Sequence, residues 1–144
     1  MITPLEELAL NAWPALQTQF YDGWILRFAE GYTRRANSVN PIYPSQRNLA
    51  QKIQDCELMY QARNLPVVFK MTPAVYPENL DQQLNVRGYQ LDAMTSVQTV
   101  PLTGLEFPTS PKYKLFTQIN ESWLKAFCDM GNLSEHRSSV LRRI

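Results

Sequence analysis

At 144 residues the chain suits a single domain, and 44% apolar with 19% charged residues is ordinary for a globular fold. Fourteen basic against 13 acidic residues leave a formal net charge of +1, without the basic excess or stripe of a nucleic-acid binder. No apolar run approaches the length of a membrane span.

Met1 to Leu10 carries two Glu and no basic flank, unlike a secretory signal. Thr3-Pro4-Leu5-Glu6 is a helix start: Thr3 caps, Pro4 suits the first helical position and Glu6 completes a capping box. Leu5, Leu8, Ala9 and Ala12 recur at helical spacing, and Pro14 ends the helix near Trp13. A short second helix is expected to carry Leu16 and Phe20. Trp24, Leu26 and Phe28 then alternate with Arg27 as a strand. Glu30-Gly31 is expected to turn the chain into a returning strand over Tyr32 to Val39.

Asn40-Pro41 and Tyr43-Pro44 break that pattern, and Ser45 is expected to cap the next helix. Leu49, Ile53, Cys56 and Tyr60 share one face of it, with Gln51, Lys52 and Asp55 on the other and a stop at Asn64. Val67 to Met71 predicts a buried strand. Glu78 to Val86 predicts a short helix ended by Gly88, and Tyr89 to Val100 a long alternating strand. Pro101 to Pro111, with three prolines and one glycine, predicts a linker or an edge-crossing loop. Phe116, Ile119, Trp123 and Phe127 mark a further helix stopped at Gly131-Asn132. Ser134 caps a last helix holding Val140, Leu141 and Ile144, whose apolar end is expected to need a covering partner.

Cys56 and Cys128 lack metal-ligand spacing and fit reduced thiols of a cytoplasmic protein, although a disulfide stays open. Candidate acid–base groups are Asp22, Glu30, Glu57 and Tyr60. Each has a plainer role: Glu30 as a turn residue, Glu57 as a solvated edge, Tyr60 as core. His136, among Ser134, Glu135 and Arg137, fits a surface position. On a strand, Arg35 and Asn37 would point to one side and Arg34, Ala36 and Ser38 to the other. They could line a groove for a carboxylate or amide, or form a solvated or network-supporting sheet face.

Several strings carry a resemblance. They are Leu10-Asn11-Ala12-Trp13-Pro14, Asp22 to Arg27, Gly31-Tyr32-Thr33-Arg34-Arg35-Ala36-Asn37-Ser38-Val39, Glu57 to Tyr60, Leu65-Pro66, and Leu80-Asp81 through Arg87-Gly88-Tyr89. Together they resemble the N-terminal half of a bacterial subgroup of GNAT-family N-acetyltransferases. The resemblance implies an α/β (α+β) fold, a GNAT-like mixed sheet flanked by helices, here incomplete or degenerate. It implies three parts: a degenerate unit over 1–100, a linker over 101–111, and over 112–144 the helical start of a second unit.

It also implies acetyl transfer from acetyl-CoA to a small-molecule or peptide amine by the complete protein. Arg34, Arg35, Asn37 and Ser38 would lie on the substrate side. The family holds acetyl-CoA in a glycine-rich turn whose backbone N–H groups cradle the pyrophosphate. The corresponding stretch, Asn40 to Arg47, has no glycine and two prolines, so no cofactor is expected on this chain alone. The rival expectation is a non-catalytic GNAT-like module that forms a homodimer or docks a missing C-terminal half. A binder of some other small ligand in the hairpin groove is a third.

Overall fold

A computed structural model describes residues 2–106 and 116–144. It is mixed α/β, with five α-helices and a three-stranded antiparallel sheet ordered β1-β2-β3 among the described residues. Two compact units emerge, Met1–Tyr89 with Ser134–Ile144, and Gln90–Leu133. The expected linker beyond residue 106, and the expected start of a second unit at 112, fall outside the described residues.

In the first unit, α1 (Ile2–Ala12) matches the expected helix, but its apolar stripe does not hold. Glu6 is the buried residue, paired with Lys70, while Leu8 is exposed. The expected helix around Leu16 and Phe20 is instead β1 (Gln17–Tyr21), paired with β2 (Trp24–Phe28). Tyr21 faces Trp24, leaving Asp22-Gly23 as a two-residue turn with φ +46° and +83°. Both angles being positive is the primed geometry that matches strand twist, which an acidic residue followed by glycine tolerates. Gly23 is also required sterically, since a Cβ there would lie 2.0 Å from the Pro44 carbonyl oxygen.

The expected hairpin about Glu30-Gly31 is corrected accordingly. Those residues do turn the chain, at φ +49° and +76°, but into a 3₁₀ turn (Arg34–Ala36) and not a strand. The return strand is only β3 (Val39–Asn40), paired with β2. The expected strand at 67–71 reduces to one parallel bridge between Val39 and Phe69.

Helix α2 (Leu49–Gln61) begins at Asn48, whose side chain accepts from the Gln51 N–H, so the expected Ser45 cap is displaced. Asn64 ends the α2 region at φ +54°, and α3 (Leu80–Val86) closes before Gly88 at φ +87°. The core joins Trp24, Leu26 and Phe28 of β2 to Val39, Ile53, Cys56, Tyr60, Leu80 and Leu84. Phe69 meets Trp24 and Tyr89 edge-on, at 5.8 and 5.3 Å between ring centroids. Burying these apolar faces together is the main force holding the unit.

Ser134–Ile144 belongs to the same unit. Its helix, here α5 (Glu135–Leu141), buries Val140 and Leu141, so the apolar end expected to need a partner is covered within the chain. In the second unit, α4 (Glu121–Met130) starts at Asn120, later than the expected Phe116, and stacks Trp123 on Phe127. Residues 90–100 form no strand among the described residues, and Leu91, Met94, Val97 and Val100 are exposed. Alternation alone does not make a strand; a paired edge must supply the hydrogen bonds.

Candidate functional site

Two polar constellations stand out in the first unit. The first surrounds the hairpin turn. The Asp22 carboxylate accepts from the Ser45 hydroxyl at 2.7 Å, the Arg47 N–H at 3.0 Å and the Gln46 N–H at 3.1 Å. Lys52 completes the ring at 3.2 Å, its side chain fully buried and its ammonium 4.1 Å from the Trp24 ring. The same ammonium donates to the Asp22 carbonyl and, at 2.8 Å, to the Ser45 oxygen. Donors on every side hold the Asp22 carboxyl far below the ordinary carboxylate range, the Ser45 hydrogen bond contributing most. Burial pulls the Lys52 ammonium down, opposed by Asp22. Beside this ring Tyr21 donates to Asp55, while Arg47 lies over the Tyr21 ring at 5.1 Å.

The second constellation is the loop 29–40, where the expected substrate residues fall. Arg34 and Arg35 are exposed on the 3₁₀ turn, while Asn37 and Ser38 are buried. They therefore do not alternate across a strand. Thr33 caps the turn through the Ala36 N–H, and such local side-chain bonds compete with a ladder. Asn37 accepts from the Ala29 and Gly31 N–H groups at 2.8 and 3.0 Å and donates to the Thr33 carbonyl at 2.8 Å. The Ser38 carbonyl accepts from the Arg27 N–H at 3.1 Å.

Sequence reasoning missed Arg27. Its guanidinium is buried and donates to the Arg35 carbonyl at 2.6 Å and to the carbonyls of Leu10 and Trp13, tying α1 to the loop. Burial lowers its pKa. Asn40 is buried too, and its Oδ1 has no hydrogen-bond partner among the described residues.

The acid–base candidates separate. Tyr60 is core, donating to the Arg27 carbonyl at 2.9 Å, and burial raises its pKa. Glu57 accepts from the Tyr89 hydroxyl at 3.0 Å and pairs with Arg87, more engaged than a solvated edge. Glu30 pairs with Arg143 at 2.7 Å, and exposed His136 contacts the Glu30 carbonyl at 3.0 Å. Both cysteines are free, and burial pushes the Cys56 thiol up to about 12, which keeps it protonated and unreactive at neutral pH. Among the described residues no cluster of His, Cys, Asp and Glu could hold a metal ion, and no helix is long and apolar enough to cross a membrane.

A mixed α/β unit with this sequence is GNAT-like, and its relatives are N-acetyltransferases. Residues 1–136 match the family described as "Probable histone acetyltransferase Rv0428c C-terminal", and the chain belongs to that family. It is 29% identical over 147 residues to the "Uncharacterized N-acetyltransferase YobR" of Bacillus subtilis (strain 168), a match covering 99% of this chain. The chain spans 58% of that relative's length. No solved structure matches it.

Proposed function

We propose that the chain is the N-terminal portion of a cytoplasmic N-acetyltransferase. The complete protein transfers the acetyl group of acetyl-CoA to an amine, and this portion alone does not turn over. The family's acetyltransferase description and the 29% identity to YobR support acetyl transfer, and the 58% of YobR's length that the chain spans supports the reading of a portion. One observation carries the non-catalytic part. Backbone N–H groups do converge on an anion where a coenzyme cradle is expected, but Gln46 and Arg47 give theirs to Asp22. The expectation rested on the missing glycine and on two prolines that lack a donor. The donors exist and are engaged, so the residues present do not fit a coenzyme pyrophosphate.

In this reading Arg34 and Arg35 meet a carboxylate or amide of the acceptor, while Asn37 and Ser38 hold the loop that presents them. Titration calorimetry of the 144-residue chain with acetyl-CoA is expected to give no saturable heat. Saturable binding would overturn the proposal. The second reading, a non-catalytic dimerisation or docking module, is favoured by exposed Phe20 on β1 and by the exposed apolar residues at 91–105. Light scattering that finds a strict monomer at high concentration removes its dimer form.

A further inference from the structure

We propose that the loop 43–47 is a built oxyanion site whose resident ligand is the chain's own Asp22 side chain. Removing that carboxylate would open the site to a small carboxylate such as acetate. The inference goes beyond acyl transfer and stands if that reading fails.

The donor set is that of an anion receptor. The N–H groups of Gln46 and Arg47 point at one carboxylate, the Ser45 hydroxyl bonds it at 2.7 Å, and the buried Lys52 ammonium lies 3.2 Å away. Successive amides aimed at one point make an anion-binding concavity. These two precede the Asn48 cap, so they are additional to the amides that α2 presents. Lys52 makes the site independent of Asp22 in one respect. An ammonium with a fully buried side chain needs a counter-charge, and it remains when Asp22 is removed.

The site is also rigid. Gly23 approaches Pro44 so closely that no side chain fits, and the Tyr43 N–H donates to the Gly23 carbonyl at 3.1 Å. The loop therefore stays against the turn by main-chain contacts that do not involve the Asp22 side chain. Taking away the side chain leaves a space the size of acetate, ringed by the same donors.

The test uses Asp22→Gly in the full chain, because glycine keeps the positive φ of the turn. Asp22→Asn fills the same space with a neutral amide and serves as the control. Thermal unfolding is followed against sodium acetate, with sodium chloride at matched ionic strength. D22G is expected to melt below the wild type and to regain stability saturably with acetate, while wild type and D22N respond only as they do to chloride. An acetate response equal in all three proteins, or none in D22G, overturns the proposal. Should D22G fail to fold, carbon-13 NMR of the wild-type Asp22 carboxyl decides. The proposal expects ionisation to persist well below pH ~4, with the Gln46 and Arg47 amide signals shifting in step when it is lost. Ordinary titration near pH ~4 with silent amides overturns it.

Discussion

Asn37 shows how far a residue's role can lie from its pattern. In a strand it would be one polar tooth of a groove. In the structure both ends of its amide are engaged, with Ala29, Gly31 and Thr33, and it is 4% exposed. The Ala29 N–H has no water to turn to, since Ala29 is fully buried. Asn37→Ala is therefore expected to cost about 1–3 kcal/mol, the range for stranding a buried donor. The urea midpoint is expected to fall at unchanged slope. A midpoint equal to wild type would mean the loop finds other acceptors. The signal for this role was present in the sequence: a Glu-Gly turn, then Thr33 and Asn37, residues that bond their own backbone. Arg27 gave no such signal. An arginine opposite an apolar strand face suggests solvent, and only the fold shows that carbonyls from α1 and the loop converge on it.

Elements were legible where they close on themselves. The helices α2, α3 and α5 follow from spacing, from the Asn64 and Gly88 stops of the first two and from the Ser134 cap of the third, all of them local signals. Strands depend on what they pair with, and there the sequence misled. Asp22-Gly23 and Glu30-Gly31 have the same chemistry and all four residues have positive φ, so either could end a hairpin. The choice falls to Asp22-Gly23 because Gln17–Tyr21 pairs residue for residue with β2. The ring around the Asp22 carboxylate was hidden for the same reason, since its donors lie more than 20 residues from it along the chain. At this scale α5 offers a test of what fastens it. Arg143 and Glu30 are each nearly half exposed, so their 2.7 Å pair is screened by solvent. Val140 is fully buried. Val140→Ala is expected to cost about 1.5–3 kcal/mol through lost burial and the cavity left behind. Arg143→Ala is expected to leave the thermal midpoint almost unmoved. The reverse ranking would mean that charge, not apolar contact, holds the helix.

For the molecule as a whole, the shifted groups predict stability that falls at both ends of the pH scale. Asp22 and Asp55 are held below their ordinary range, by hydrogen bonds from Ser45 and Tyr21 respectively. Their folded pKa values lie below the unfolded ones, so their contribution is complete above about pH 4 and is lost as pH falls further. At the alkaline end the sign reverses. Burial pushes the Cys56 thiol up to about 12, against about 8.5 in an unfolded chain. Above pH ~8.5 the unfolded thiol ionises while the folded one keeps its proton, which draws the equilibrium toward unfolding by up to about 1.4 kcal/mol per pH unit. Tyr60, also raised by burial, adds to the fall above pH ~10. Lys52 acts in the opposite sense, because burial lowers its pKa, but it is common to wild type and variant. Cys56→Ala is thus expected to lower stability at neutral pH, by the loss of packing, and to flatten the decline between pH ~8.5 and ~10. Urea unfolding at half-unit pH steps measures both slopes. Parallel curves for the two proteins across that window would show that the Cys56 thiol ionises as readily folded as unfolded.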